Sequence, residues 1–309
     1  MSRLRVIVVG LGVQGHKRRT VAGKDVVATV DPIQPGADYK SIEQVPLAKY
    51  DAALLCVPDD AKLGLASYLI ENGKSLLVEK PLITTDETAL ARLAASVKAS
   101  GVTCYTAYNH RFEPHFVRMH NLLQSGQLGE IYTVRMFYGN GTARLVRQSP
   151  WRDKGAGVLP DLGSHLLDTL RFWLGDIDPL FVLESANCFE NESFDHITFG
   201  AQGKPLIQLE MTLLSWRNHF YADIFAEQGS AHISSLCKWG PSTFTFRRRV
   251  LPSGRPPEES VTLIQDDPTW DLEYEHFTQL CLKGGSNIET DLWINRVLNN
   301  LTTAAGVRA

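Results

Sequence analysis

Three groups of residues in this chain have types and spacings that could do chemistry. The first is "VIVVGLGVQG", where Gly10-x-Gly12-x-x-Gly15 directly follows a β-branched run. A first glycine permits a tight turn, a second lets a pyrophosphate approach the backbone, and a third lets the next helix pack on the strand. The helix that follows would turn its N-terminus, with Val13 and Gln14 in the first turn, toward the phosphates. Asp31 ends the next apolar run, 21 residues after Gly10, where a carboxylate accepts hydrogen bonds from adenosine ribose hydroxyls. The same carboxylate would repel a 2′-phosphate, so NAD is expected in preference to NADP. Lys17, Arg18 and Arg19 fall on several faces of the helix and read as its solvated surface.

The second group is Glu79-Lys80-Pro81, which interrupts the apolar stretch "SLLVEKPLIT". A strand ending on a carboxylate and an ammonium could simply be leaving the core, with Lys80 paired to Glu79. If it belongs to a parallel sheet, its carboxyl end lies where such sheets bind ligands, and Lys80 points into a cleft. Pro81 fixes its own φ and restricts the residue before it, which limits where that lysine can point. The third group is Asp161 and His165, four apart at the start of a helical pattern and so on one face. Such a pair reads either as an ordinary surface pair, with the carboxylate on the helix dipole, or as an acid–base pair.

Elements to hold these groups are legible along the chain. Apolar runs at Arg5–Val9, Val26–Val30, Ala52–Val57, Leu76–Val78 and Val102–Tyr108 alternate with helical patterns, one of them entered through Thr84 and Glu87 at capping-box spacing. This alternation predicts a Rossmann-type α/β domain with a parallel sheet, over residues 1–118. Residues 119–309 read as an α+β domain: a strand at Glu130–Tyr138, a helix at Pro160–Leu174, then strands joined by short turns, which predict a mostly antiparallel sheet. Two helices, near 270–283 and 290–303, complete that domain.

Composition excludes more than it assigns. Net charge is −3 and the hydrophobic fraction 44%, so a packed core is expected, without the basic surface that nucleic acid or an anionic membrane requires. Five scattered cysteines form no CxxC pair, so neither a disulfide framework nor a metal site is expected. No apolar run is long enough for a signal or membrane segment, and the expected location is cytoplasmic. His110, His115 and His120 recur every five residues. On a helix each step turns them about 140° off the starting face, so they read as surface histidines and not as a metal set.

With the glycine loop, the Glu79-Lys80-Pro81 step, "NHRFEP" (109–114), "SGQLGEIYTVR" (125–135) and "DLGSHLLD" (161–168), the chain resembles the glucose-fructose oxidoreductase/inositol dehydrogenase/rhizopine-catabolism (Gfo/Idh/MocA) family. The resemblance runs to about Gly175; beyond it only architecture agrees. It implies a nucleotide-binding domain plus a substrate domain with a large open sheet whose outer face pairs subunits into a homodimer or homotetramer. It also implies nicotinamide-dependent oxidation or reduction of a small carbohydrate-like substrate. The family's catalytic lysine falls on Lys80, and its Asp-x-x-x-His pair on Asp161 and His165. One departure stands out: where the family shows Pro-Asn-x-x-His, this chain has Pro58-Asp59-Asp60-Ala61-Lys62.

Within that frame the roles divide by chemistry. Imidazole titrates near ~6.5, whereas a lysine near ~10.4 would need lowering by about three units to serve as a neutral base. His165 is therefore the expected general acid/base, Lys80 the cation that holds and polarises the substrate oxygen, and Asp161 a positioning carboxylate. Val57, Pro58, Glu79, Lys80 and Asn109 are expected beside the cofactor, and Trp151 and Arg152 beside the substrate. Two other functions fit the same residues: an NAD-dependent glycosidase with transient oxidation and no net redox change, and a non-catalytic NAD(P)-sensing binding protein. Neither requires a different fold.

Overall fold

The computed structural model of the protein describes residues 3–149, 152–252 and 254–307. It divides into two compact units: the described residues up to Asn109 with Thr269–Arg296, and His110–Pro268 with the described residues from Val297 onward. The expected single boundary after residue 118 is corrected on two counts. The first unit ends earlier, and it takes in a late piece of the chain.

The first unit contains β1 (Val6–Val9), α1 (Val13–Ala22), β2 (Val26–Val30), β3 (Ala52–Leu55), α2 (Asp59–Glu71), β4 (Ser75–Glu79), α3 (Glu87–Ser100) and β5 (Cys104–Ala107). The strands are all parallel, in the order β2-β1-β3-β4-β5. Both faces of the sheet are covered, which is why the strands read as continuous apolar runs and not as alternation. Ile7, Val9, Leu55 and Val78 pack beneath Leu69 of α2 and Leu93 and Val97 of α3. Val6, Val8, Leu54 and Leu77 face a second core on the opposite side. The predicted capping box gives way to a simpler cap: Asp86 accepts the Ala89 N–H at 2.9 Å, while Thr84 Oγ1 accepts the Asp86 N–H at 3.0 Å.

The second unit begins at His110, inside the helical turn Asn109–Phe112, and continues through α4 (Pro114–Gln124), β6 (Ile131–Gly139), a short α5 (Ala143–Arg147) and α6 (Ser164–Leu174). A π-helical turn, Leu159–Gly163, leads directly into α6. Then follow β7 (Val182–Asn187), β8 (His196–Ala201), β9 (Leu206–Thr212), β10 (His219–Ala226), β11 (Gly229–Ser234), β12 (Ser242–Arg248) and β13 (Glu258–Leu263). They make one sheet in the order β13-β12-β11-β10-β6-β9-β8-β7, antiparallel except where β6 meets β9. Short turns at Gly203, between β8 and β9, and at Gly229, between β10 and β11, join antiparallel neighbours, as the predicted strands with short turns require. One face buries Val134, Met136, Tyr138, Phe220, Ala222 and Ile224. Phe116 of α4 packs there against Phe220 and against Trp173 of α6. On the alternate positions Phe137 and Tyr221 stack at 5.4 Å and stay partly exposed.

The chain ends in α7 (Thr269–Lys283) and α8 (Ile288–Ala304). The right-handed crossovers β3–α2–β4 and β4–α3–β5 step in one direction and put both helices on one face. Only α1 crosses on the other face, and α7 covers the remainder, burying Tyr274 and Phe277 in the second core. The exposed edge of β5 is closed by the same late segment: Asn287 accepts the Thr106 N–H at 2.7 Å and donates to the Thr106 carbonyl at 2.8 Å. A side-chain amide thus stands in for a neighbouring strand.

The second face also holds the correction to Arg18. Its side chain is buried, with Nε 2.6 Å from Glu79 Oε1 and Nη2 2.7 Å from Glu273 Oε2. The guanidinium also lies 4.2 Å from the Trp270 ring centre. Burial opposes the charge, but the two carboxylates outweigh it and hold the guanidinium even more firmly protonated than usual. No helix among the described residues is long and apolar enough to cross a membrane. Removing Arg18 strands two carboxylates in a dry interior, so Arg18→Met should lower stability by about 3–5 kcal/mol, read from the midpoint of denaturant unfolding.

Candidate active site

The glycine loop divides its labour among three positions. Gly10 has φ +89°, and a Cβ there would lie 2.3 Å from the Cys56 carbonyl oxygen. A Cβ at Gly15 would lie 1.8 Å from the Gly10 carbonyl oxygen, so α1 rests directly on the loop. At Gly12 an added Cβ would meet nothing within 4 Å. The first and third glycines therefore satisfy the protein's own packing, and the second leaves open space. α1 starts at that opening with no side chain capping Gly12 and with Val13 84% exposed. An uncapped helix start beside a Cβ-sized gap is what a pyrophosphate needs. Val57 lies against Gly10, and Pro58 forms the N-cap of α2, so both stand beside the loop.

Asp31 fastens this loop to the end of β2. Its Oδ2 accepts the Leu11 N–H at 2.7 Å, and its Oδ1 accepts those of Ile33 and Gln34 at 2.8 Å. Burial disfavours the charge, yet the backbone donors of Gln34, Leu11 and Ile33 prevail and hold the carboxyl below its usual range. An ionised carboxylate offers about four acceptor sites, so it can still take a ribose hydroxyl. The loop, the open Gly12 position and Asp31 all fit NAD.

β4 delivers Glu79 and Lys80 at the carboxyl end of the same sheet, with Glu79 registered against Ala107 of β5. The sequence assigns Glu79 and Asn109 to the cofactor; in the structure each is held by a protein partner. Glu79 pairs with Arg18, and buried Asn109 donates from Nδ2 to Thr269 Oγ1 at 2.8 Å. The divergent Pro58–Lys62 stretch has a clear role instead. Lys62 is buried, pairs with Asp59 at 2.6 Å, and donates from Nζ to the Pro81 carbonyl at 2.7 Å. Burial, together with the nearby Lys80 charge, pulls the Lys62 ammonium down against the opposing pull of Asp59. It grips the residue immediately after Lys80.

Asp161, His165 and Arg152 come together in the second unit. Asp161 lies in the π-helical turn and His165 in the first turn of α6, where Ser164–Thr169 are all buried. Arg152 Nη2 is 3.9 Å from Asp161 Oδ2. Trp151 lies outside the described residues. His165 stacks on His110, with ring centres 4.0 Å apart and planes 18° apart. The Tyr138 ring lies 5.4 Å from His110 and 5.9 Å from His165. His110 and His115 are buried, which corrects the surface reading of both; His115 Nε2 meets the Ser242 carbonyl at 3.1 Å. Next to the stack, Arg111 grips buried Asp168 through Nε and Nη2 at 2.6–3.0 Å, joining "NHRF" to α6. Sequence reasoning quoted Asp168 without a role and missed His110, Glu113 and Lys238; no local pattern marks them, because their partners lie on other elements.

Comparison with known proteins agrees with this geometry. A family model described as an oxidoreductase family with an NAD-binding Rossmann fold matches residues 4–108, and the GFO/IDH/MocA C-terminal domain matches residues 116–232. An inositol 2-dehydrogenase of Rhizobium meliloti is 28% identical over 160 residues, covering 52% of this chain and 44% of that protein. The match thus spans under half the length of that relative. A scyllo-inositol 2-dehydrogenase (NAD(+)) of Bacillus subtilis is 25% identical over 330 residues, covering 94% of this chain and 90% of its own. Among solved structures, levoglucosan dehydrogenase in complex with NADH superposes with a TM-score of 0.81 at 17% identity, covering 99% of this chain and 97% of the other. An NAD-binding oxidoreductase from Klebsiella pneumoniae gives 0.82 at 17%, with the same coverage. These two likenesses are of fold. The glycine geometry carries its own test. Gly12→Val should weaken NAD binding at least about tenfold by calorimetry while leaving stability within about 0.5 kcal/mol, whereas Gly15→Ala should cost about 1–3 kcal/mol of stability.

Proposed function

The chain belongs to the Gfo/Idh/MocA oxidoreductase family, and from that premise we propose that it transfers a hydride between NAD(H) and a secondary alcohol or ketone of a sugar, cyclitol or sugar derivative. The observation that carries the reading is His165. A titratable ring buried at the start of a helix and backed by a second imidazole supports a role in proton transfer. In the oxidation direction the substrate carbon gives up a hydride and its hydroxyl gives up a proton. NAD, when bound on the glycine loop, supplies the hydride acceptor. His165 takes the proton, a role that suits imidazole because its ring nitrogen can both accept and return one.

Lys80 then holds the substrate oxygen and favours the negative charge that develops on it. Asp161 orients the substrate, and Arg152 holds Asp161. Lys62 and Arg18 act one step back: Lys62 fixes the peptide after Lys80, and Arg18 fixes the end of the strand that presents it. The partly exposed aromatic face of the eight-stranded sheet, with Phe137 stacked on Tyr221, is the surface through which the chain would pair as a dimer or tetramer.

The test is net NADH formation with a panel of polyols, cyclitols and sugar acids. His165→Asn and Lys80→Met should each lower kcat by about 10²–10⁴-fold with NAD affinity retained. Turnover that survives both substitutions would remove the mechanism. A glycosidase would consume its substrate without net NADH, and a sensing protein would bind NAD with no substrate consumed.

A further inference from the structure

Lys238 is a second lysine in this structure whose surroundings call for an explanation. It lies in the helical turn Cys237–Trp239, between β11 and β12. Its Nζ is 3.3 Å from His110 Nε2 and 4.9 Å from the centre of the Trp239 ring. His110 is buried, and the ring of His165 stacks on it at 4.0 Å. The chain thus sets an ammonium, an imidazole and the proposed acid/base imidazole in one row.

An ammonium has three donors and no lone pair, so a ring nitrogen that meets it must be the acceptor. That requirement fixes His110 as a neutral ring with its proton on Nδ1. We propose that Lys238 is a positioning residue that locks His110 in this neutral form, so that the imidazolium arising on His165 during turnover faces an uncharged ring and not a second cation. The inference rests on the reading that His165 carries the substrate proton. Two stacked cationic rings would repel strongly in a buried site, and two titratable rings in contact would share protons as a coupled pair.

Acidic groups gather around the turn that carries Lys238. Glu113 and Asp267 place carboxylate oxygens, and Cys237 its sulfur, within 4.8 Å of one another. Glu113 is tied to the turn itself, accepting the Cys237 N–H at 3.1 Å. Burial holds Lys238 below the usual lysine range, and Glu113, Asp267, Cys237 and Asp161 offset only part of that pull. Around the stack, Tyr138 approaches from β6, Asp161 pairs with Arg152, and Arg111 pairs with Asp168.

Histidine side-chain ¹⁵N–¹H correlation spectra of the full chain, assigned with His110→Gln and His165→Gln, test the proposal. In the unsubstituted protein His110 should show the neutral Nδ1–H pattern throughout a titration from about pH 8 to about pH 5.5. In Lys238→Met, His110 should begin to titrate, and kcat for alcohol oxidation should fall about tenfold on the acidic side and recover on the alkaline side. Lys238→Arg should restore the neutral pattern, because it restores the donor. A His110 carrying its proton on Nε2 in the unsubstituted protein, or one whose titration is the same with and without Lys238, would overturn the inference. The spectra decide this without any known substrate. If instead His165→Asn keeps full turnover while His110 behaves as stated, it is the assignment of His165 that fails.

Discussion

The guanidinium of Arg18 is the contact on which the first unit depends. It sits between Glu79 at the end of β4 and Glu273 on α7, almost wholly out of solvent. Two carboxylates in that environment are tolerable only with a cation between them, and the planar fork of arginine can serve both at once. The result is a three-way tie among α1, β4 and α7, elements that are far apart in sequence. It explains why a late helix belongs to this unit, since α7 brings both apolar cover and the second carboxylate. It also fixes the strand end from which Lys80 leaves the sheet.

Buried ion pairs are poor sources of net stability, because desolvation consumes most of the Coulomb gain. An apolar trio of matching shape could hold α1, β4 and α7 about as firmly. What it could not do is fix the direction of each element at the end of β4. The bidentate pair Arg111–Asp168 has the same logic in the second unit. It fastens the turn bearing His110 to the helix bearing His165, one residue and three residues away from those rings, respectively. A clamp with two parallel hydrogen bonds leaves little freedom for the stack beside it.

How much of this was legible in sequence follows from the range of each interaction. The glycine loop, Asp31 and the alternation of strand and helix are local signals, and each appears where expected. Arg18 could not be read, since its partner Glu79 is 61 residues away and Glu273 lies near the other end of the chain. The histidine reading failed for a different reason. The 140° argument correctly forbids convergence on one helix, but His110 precedes α4, and burial comes from β6, α6 and the turn at Cys237. Spacing can exclude a metal set; it cannot show that a ring is exposed. The altered Pro58–Lys62 stretch was a signal of another kind, a departure from the family pattern whose meaning needed the 2.7 Å bond to Pro81.

A single habit of this chain connects its two units. Behind Lys80 and behind His165, two of the residues proposed for the chemistry, the chain places further cations, buried in the case of Arg18 and Lys62. Arg18 and Lys62 flank Lys80 through Glu79 and the Pro81 carbonyl, and Lys238 addresses His165 through His110. A charge placed one residue back acts through geometry and through the protonation state of the group between. On the proposed function the work is divided: Lys80 and His165 face the substrate, and the cations behind them set where those groups point and, for His110, which ring nitrogen carries the proton. Substituting a rear cation should then alter where and when its front partner functions, and leave the chemistry that partner performs unchanged in kind.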